Sequence, residues 1–227
     1  MSRNARQPVE VESVRQSILD AALEIIIEEG FGNASMRKIG RRIGMTAPNL
    51  YNYFSGKDEI NLEILRCGFE EFYQRLVDNY NRADTPFKGL VSIVDTYVDF
   101  SLEKPNYFDL MWNRPTPKYY DYVGTDFEEM ASREKQSALK VFNFFIQAVI
   151  GAAPQGRNID AEEARNIVME VWTHAHGTVA LYVNRLLIEV DDNPQHVVER
   201  TVVYLKNKLY QIIYNGNAPH NESIISA

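Results

Sequence analysis

Five basic side chains and no acidic one fall within residues 35–57, in a chain whose formal net charge is −7. They are Arg37, Lys38, Arg41, Arg42 and Lys57. Cationic groups at this density neutralise phosphates, and the absence of carboxylates removes repulsion from a polyanion. A solvated helix face is the alternative explanation for such a cluster. Because the same span also holds a turn between two short apolar-periodic runs, the sequence favours a nucleic-acid-binding surface.

The turn lies at Gly44, between two runs with the spacing of short helices. Ser35 is a favourable N-cap for the first run, and Gly44 supplies the left-handed residue that ends it. Thr46 would cap a second, very short helix that reaches about Tyr53. Two short helices joined by a glycine-containing turn form a helix-turn-helix, whose second helix enters the DNA major groove.

The apolar periodicity predicts which side chains of this unit face outward. Ile39, Ile43 and Leu50 fall on faces that pack together. The basic residues of the first helix then point outward, as do Ala47, Pro48, Asn49 and Asn52 of the second. The amides of Asn49 and Asn52 have the donor and acceptor pattern that recognises adenine in the major groove.

The rest of the chain differs from this unit in charge. Residues 1–57 carry eight Lys or Arg against six acids, a net of +2, so the remaining 170 residues hold −9. Such asymmetry suggests a basic module attached to an acidic body. Helical periodicity continues to the end and predicts an all-α fold of about nine helices, over about residues 13–30, 35–44, 46–53, 55–82, 85–104, 107–112, 125–150, 160–189 and 193–215.

The basic segment also resembles the TetR family of bacterial transcriptional regulators, in unbroken register over residues 10–62. The residues that carry the resemblance are Ala21-Ala22, Gly30-Phe31, Ser35, Ile39, Gly44, Leu50-Tyr51, Tyr53-Phe54 and Lys57. The resemblance implies an N-terminal three-helix DNA-binding domain over 10–60, joined by a long fourth helix to a larger helical effector-binding and dimerisation domain over 61–216. We expect the tail, 217–227, to be disordered.

The resemblance further implies a sequence-specific regulator, most often a repressor that a small molecule releases from a palindromic operator. It places the N-terminus of the helix that starts at Met36 against phosphate. It also places residues 46–49 in the major groove and the Lys57 ammonium against phosphate. Tyr51 and Tyr53 would contact phosphates or thymine methyls. The predicted DNA contacts are therefore Ser35, Met36, Arg37, Thr46, Ala47, Pro48, Asn49, Tyr51, Asn52, Tyr53 and Lys57.

The acidic body carries a second, less specific resemblance. Trp172, His176 and Gly177 match the W-x-x-x-H-G pattern of the WHG type of TetR C-terminal domain. A small, largely apolar effector would bind between helices lined by aromatic side chains. The candidates are Tyr97, Phe100, Tyr107, Phe108, Met111, Trp112, Phe142, Phe145, Trp172 and His176. An ordinary apolar core is the alternative explanation for this set.

The last two predicted helices carry apolar seams at alternating spacings of three and four residues, such as Val198, Val202 and Leu205. Such seams suit either the domain's own core or a four-helix bundle with a second copy. One helix-turn-helix contacts few base pairs, so these proteins usually act as two-fold dimers. The family resemblance implies that about residues 161–215 form a homodimer interface.

Several other functions find no support in the residues. There is no Gly-rich phosphate loop or nucleophile elbow, so we expect neither an enzyme nor a cofactor. His174 and His176 point about 200° apart on a helix and cannot share one metal ion from it. Cys67 lies in an apolar helical run as a packing residue. No apolar run is long enough to span a membrane, and we expect a cytoplasmic protein.

A second functional hypothesis keeps the DNA-binding module but replaces the small molecule with a protein partner. Tyr119, Tyr120 and Tyr122 lie close to a proline-rich break and would form an exposed patch for that partner.

Overall fold

A computed structural model describes residues 8–214 of the chain, and within that range every regular element is helical. Nine α-helices occur there, which confirms the predicted all-α fold. They are α1 (Pro8–Glu29), α2 (Met36–Arg42), α3 (Ala47–Leu50), α4 (Lys57–Asn81), α5 (Pro86–Glu103), α6 (Pro105–Phe108), α7 (Glu128–Gly151), α8 (Ala161–Val183) and α9 (Pro194–Tyr214). Of these helices, none is both long and apolar enough to cross a membrane.

Several helix boundaries differ from the predicted ones, and two of them do so for clear local reasons. The first helix begins at Pro8 rather than after Ser13, because proline suits the first turn of a helix. The Ser13 carbonyl instead accepts a hydrogen bond from the Ser17 hydroxyl inside α1. The eighth helix ends at Val183 instead of continuing to about Glu189, because Arg185 turns the backbone to a positive φ of 61°.

The chain divides into two compact units that do not follow the predicted domain limits of 10–60 and 61–216. Among the described residues, one unit combines 8–70 with 106–138, and the other combines 71–105 with 139–214. The segment 106–138 therefore groups with the helix-turn-helix rather than with the rest of the body. The predicted tail, 217–227, lies outside the described residues.

Specific contacts attach the segment 106–138 to the helices of the first unit. The Arg114 guanidinium donates to the Ile27 carbonyl near the end of α1 at 2.9 Å and pairs with Asp109. The Tyr122 hydroxyl donates to Asp58 at the start of α4. These bonds join residues 64 to 87 positions apart, which is why sequence periodicity could not reveal the grouping.

The second unit is built around aromatic contacts and a helical hairpin. The Phe72 ring meets those of Tyr97, Phe100 and Phe145, with centroids 4.9 to 6.5 Å apart. Helices α8 and α9 run antiparallel, since Glu170 pairs with Lys208 near the end of α9 and Thr178 meets Thr201 nearer its start.

Most seam residues of α8 and α9 are buried inside this unit, and Val202 is partly buried. Val198, Leu205 and Leu209 on α9 are at most 2% exposed, and Ala164, Val168 and Ala175 on α8 are also buried. Of the two possibilities open at the sequence level, these residues form the chain's own core. Any interface with a second copy must use other faces of the two helices.

Candidate functional site

The turn between α2 and α3 has the geometry that its residues predict. The Ser35 hydroxyl accepts from the Lys38 backbone N–H and caps α2, and Gly44 has a φ of 68°. The Met45 N–H donates to the Gly40 carbonyl at 2.8 Å, which closes the turn. The predicted cap at Ser35 and the left-handed Gly44 are confirmed, whereas Thr46 stands at the N-cap position of α3 without a capping hydrogen bond from its side chain.

Gly40 is where the two helices approach most closely. A Cβ added there would lie 2.5 Å from the Met45 carbonyl oxygen and 3.3 Å from Leu50 Cδ1. Leu50 is fully buried, so α3 is held directly against the glycine. The angle between α2 and α3 therefore depends on a residue without a side chain at position 40.

Most of the predicted major-groove residues lie on the exposed side of this bend. Helix α3 is shorter than predicted and ends at Leu50, followed by a turn over residues 51–53. Tyr51 is 56% exposed. Thr46, Pro48, Asn49 and Asn52 are also exposed, whereas Ala47 and Tyr53 are partly covered. A continuous polar surface thus runs from the α3 N-terminus through the following turn.

Arg15 of α1 fixes the far end of this surface, and sequence analysis did not single it out. Its guanidinium donates to the Tyr53 carbonyl at 2.6 Å and lies 4.2 Å from the centroid of the Phe54 ring. Because the two partners are 38 positions apart, no local spacing signals the contact. The bond satisfies the backbone carbonyl of the last residue in the turn that follows α3.

Two predicted DNA contacts have a different environment from the one expected. The Met36 side chain is only 7% exposed and packs in the core, so only its backbone could meet DNA. The Lys57 ammonium donates to the Phe31 carbonyl at 3.1 Å and lies over the Phe31 ring. The Lys57 side chain therefore also holds the start of α4 against the loop after α1.

The basic residues of α2 separate into two stripes. Lys38 and Arg42 face carboxylates of α1: Lys38 pairs with Glu29, and Arg42 pairs with Glu24 at 3.0 Å and with Glu28 at 2.7 Å. The hydrogen bond from Arg42 lowers the pKa of Glu28.

The other stripe consists of Arg37 and Arg41, one helical turn apart. Both side chains are exposed, and neither forms an ion pair with any residue of the described range 8–214. Residues 35–57 contain no acid, but acids of α1 pair with two of their basic side chains. The unpaired positive charge of this segment is therefore smaller than the sequence suggests. Arg37 and Arg41 are the cations of α2 best placed to neutralise phosphate.

The body contains an apolar cavity between α5, α7, α8 and α9 of the second unit. Its volume is about 30 Å³, enough for about one water molecule and far below the roughly 300 Å³ of a typical small-molecule site. Tyr97, Phe145 and Trp172 of the predicted pocket line it, together with aliphatic residues such as Val94 and Val168. Three of the predicted pocket residues thus line one cavity, but in this closed form the cavity is too small to hold an effector.

A hydrogen-bonded pair of side chains lies at this cavity beside Trp172. The Tyr97 hydroxyl lies 2.9 Å from Nδ1 of His176, and the His176 and Trp172 rings have centroids 6.1 Å apart. Burial raises the pKa of Tyr97 and lowers the pKa of His176. Both groups are therefore held neutral at pH 7, and the cavity has polar groups at one point of an otherwise apolar wall.

The remaining predicted pocket residues do not join this cavity. Phe100 is fully buried against Phe72, and Phe142 lies beneath the Arg165 guanidinium. Four others belong to the other compact unit: Tyr107, Phe108, Met111 and Trp112. There Tyr107 and Met111 pack against Gly68 of α4, where a Cβ would meet them at 2.8 and 2.9 Å. Tyr97, Phe145 and Trp172 are thus the predicted pocket residues that line this cavity, and the full ten-residue pocket stays a prediction.

The described residues show no sign of metal or thiol chemistry. Within 8–214, no three His, Cys or carboxylate side chains gather closely enough to hold a metal ion. Burial raises the pKa of the Cys67 thiol to about 11, which keeps it protonated at neutral pH.

The bend, its exposed polar surface and the unpaired arginine stripe define a helix-turn-helix DNA-binding protein. The family described as "Bacterial regulatory proteins, tetR family" matches residues 18–64, and "Tetracyclin repressor-like, C-terminal domain" matches residues 90–205. The second match covers more than half of the chain, and the chain belongs to the TetR family. The members of this family are regulatory proteins, which confirms the prediction that the chain is not an enzyme. The assignment of the C-terminal domain to the WHG type stays a prediction.

Individual relatives agree with this assignment. The "Uncharacterized HTH-type transcriptional regulator YobS" of Bacillus subtilis (strain 168) is 30% identical over 98 residues, which are 42% of this chain and 49% of that protein. The chain spans about half the length of the curated relatives it matches.

Solved structures show the same fold. A TetR-family transcriptional regulator from Bordetella parapertussis 12822 aligns with a TM-score of 0.66 and 16% identity, over 86% of this chain and 94% of that one. The transcriptional regulator FadR from Bacillus subtilis, in complex with stearoyl-CoA, aligns with a TM-score of 0.61 and 18% identity, over 89% and 99%.

The close approach at Gly40 leads to a first prediction. Gly40→Ala should lower the free energy of unfolding by about 1–3 kcal/mol, because the new methyl overlaps a backbone carbonyl that cannot move alone. Urea titration followed by circular dichroism measures this. Gly32→Ala is the matched control, since no atom lies within 4 Å of its added Cβ and its stability should change by less than about 0.5 kcal/mol. Equal stability of the two variants would contradict the packing at the bend.

The buried histidine leads to a second prediction. Because burial lowers the pKa of His176 in the folded state, the unfolded chain takes up a proton first as the pH falls. The stability is complete above the ordinary histidine pKa and decreases as the pH drops below it. Between pH 7.5 and 5.5, wild-type protein should therefore lose more free energy of unfolding than His176→Gln. Parallel losses in both proteins would show that His176 is not held neutral by burial.

Proposed function

We propose that the chain is a dimeric DNA-binding repressor that recognises a two-fold operator and leaves it when a small, largely apolar effector binds. The observation that carries this proposal is the bend at Gly40 and Met45, which holds α3 with its polar side outward. Membership of the TetR family supports it independently.

On DNA, the exposed surface after the bend would enter the major groove. Asn49 and Asn52 carry amides that can bond an adenine edge in two places, whereas Pro48 can offer only an apolar contact. Arg37 and Arg41 would bind phosphates on the flank, and the capped N-terminus of α2 would add its dipole. Base contacts would thus come from α3 and the turn after it, and most of the charge neutralisation from α2.

Dimerisation would use the faces of α8 and α9 that the chain's own core leaves free. Met169 and Leu181 on α8, and Val203 and Tyr204 on α9, are between 40% and 48% exposed. Large apolar side chains on two adjacent helices are typical of a subunit interface. The interface proposed over 161–215 includes all four, although its last residue lies outside the described range. A two-fold pair would present two copies of α3 to successive major grooves, about 34 Å apart.

The effector would bind at the cavity beside Tyr97. Because the cavity is closed, binding must displace side chains such as Trp172 and Phe145, which would couple occupancy to the positions of α7 and α8. The hydrogen-bonded pair of Tyr97 and His176 offers one polar contact on an apolar wall. An apolar molecule with a single hydrogen-bonding group suits this arrangement. That FadR of the same fold was solved with stearoyl-CoA is consistent with an effector that has a long apolar part.

Helix α4 would carry the signal. It begins beside the helix-turn-helix with Asp58, which bonds Tyr122, and continues to Phe72 among the aromatic residues of the second unit. The effector must bind one arrangement of the protein better than the other, since equal affinity for both would change nothing. Arg114 and Tyr122, which bond α1 and α4, would fix the DNA-binding arrangement.

The alternative, in which a protein partner controls the chain, finds less support. The Tyr122 side chain is 4% exposed and bonds Asp58, and the Lys135 ammonium lies over the rings of both Tyr119 and Tyr120. Tyr120 remains 78% exposed. One exposed ring is a smaller surface than the three-tyrosine patch expected from the sequence.

Selection of bound fragments from random duplex DNA tests the proposal directly. We expect a two-fold sequence whose half-sites are separated by one or more helical turns. Selected duplexes without a shared sequence, or an asymmetric single half-site, would contradict the proposed dimeric recognition.

Two variants of the bend should then separate base recognition from charge neutralisation. Asn49→Ala should relax preference at one base position of each half-site, at a cost of about 1–3 kcal/mol on the selected duplex. Arg41→Ala should weaken binding to all duplexes alike and reduce the salt slope by about one unit per subunit. Fluorescence anisotropy at several salt concentrations measures both. If the two variants behaved alike, the assigned roles would be wrong.

The proposed interface leads to a separate prediction. Val203→Asp should shift the dimer towards monomer in sedimentation velocity, because it places a charge in an apolar contact. Leu139→Asp on α7 is the matched control, since Leu139 is similarly exposed at 47% but lies outside the proposed interface. A shift in the control alone, or in neither variant, would contradict the assigned interface.

A further inference from the structure

A second cavity, separate from the closed one, opens at the far end of α8 in the second unit. Its volume is about 390 Å³, within the range of small-molecule sites. Leu102 of α5, Val183 of α8, Ile188 and Pro194 provide apolar walls, and Arg185 provides the cationic group. This cavity is therefore large enough to hold a small molecule without any movement of side chains.

Arg185 occupies a backbone position that normally belongs to glycine. The Leu186 N–H donates to the Leu181 carbonyl and the Arg185 N–H to the Tyr182 carbonyl, both at 2.9 Å, which is the Schellman arrangement at the end of α8. Within 8–214, all other positive φ values fall on glycines, at Gly30, Gly44, Gly124 and Gly156. An arginine with φ 61° strains the backbone, and the two bonds of the Schellman arrangement hold it in this conformation.

The guanidinium of Arg185 is exposed and forms no ion pair with any described residue. Glu189, Asp191 and Asp192 follow Arg185 in the chain, yet none of them forms an ion pair with its guanidinium, and the Asp191 carboxylate accepts from the Asn193 N–H. A cation at the end of α8 would interact well with the helix dipole, but an ordinary right-handed residue could provide that too. The dipole therefore does not explain why the strained position carries arginine.

We propose that this cavity binds a small organic anion with an aliphatic body, whose carboxylate is held by Arg185. The guanidinium can donate two parallel hydrogen bonds to a carboxylate, and Leu102 and Ile188 would cover the aliphatic part. Ile188 is 56% exposed, so the ligand would remove apolar surface from water. The proposal does not depend on DNA binding or on the closed cavity at Tyr97. It requires that the dimer contact, proposed within 161–215, leaves Arg185 and Ile188 uncovered.

Calorimetry with decanoate on the full-length protein tests this site, with decanol as the uncharged comparison. Wild-type protein should bind decanoate through a contact that Arg185→Gly removes, whereas any decanol binding at the cavity beside Tyr97 should be the same in both proteins. Arg185→Gly should weaken decanoate binding about tenfold or more, yet raise the Tm by about 2–4 °C, because it relieves the strain. Arg185→Lys should keep part of the affinity and none of the gain in Tm.

Two further variants separate this site from other causes. Arg165→Gln removes an exposed cation of α8 outside the cavity and should leave decanoate affinity unchanged. Ile188→Trp fills the cavity and should weaken binding without unfolding the protein. Absence of decanoate binding, equal losses of decanol and decanoate binding in Arg185→Gly, or decanoate affinity that Arg185→Gly leaves intact would overturn the proposal.

Discussion

The contact between Gly40 and the turn that follows it is the constraint on which the DNA-binding surface depends. The Met45 carbonyl and the Leu50 side chain occupy the space that any other residue at position 40 would need. Because Leu50 belongs to α3, this single approach sets the angle at which α3 leaves α2. Arg15 secures the other end by bonding the Tyr53 carbonyl. A four-residue helix, which could not be stable alone, is thereby fixed at both ends.

Few basic side chains of the helix-turn-helix are left unpaired to bind phosphate. The carboxylates of α1 engage Lys38 and Arg42, so that Arg37 and Arg41 remain as the unpaired basic residues of α2. Affinity that comes from phosphate contacts is independent of base sequence. A module with fewer free cations gains less from arbitrary DNA and depends more on the contacts of α3. The acidic residues of α1 and the overall negative charge of the chain also weaken binding to arbitrary DNA.

Much of the fold could be predicted from local signals, because helix ends depend on a few adjacent residues. The cap at Ser35 and the left-handed Gly44 are such signals, and the family pattern extends them over the whole N-terminal segment. Contacts between distant residues were not accessible in this way. The bond from Arg15 to Tyr53 and that from Arg114 to Ile27 have no sequence spacing that would reveal them.

The candidate effector site was harder to predict for a different reason. Aromatic residues in an apolar body look alike in a sequence whether they line a cavity or fill a core. Phe100 fills the core, whereas Tyr97, three positions before it, lines a cavity and bonds His176. Periodicity also could not show whether the seams of α8 and α9 face inward. Only the packing of Val198 and Leu205 inside the chain distinguishes these cases.

Hydrogen–deuterium exchange of the full chain, with and without an excess of the selected duplex, tests the account most directly. Exchange reports backbone protection segment by segment, so it locates the DNA contact without any substitution. The account predicts that DNA slows exchange most in residues 35–53, from the α2 cap through the turn after α3. Unchanged exchange in that segment, or protection confined to residues 139–214, would contradict it.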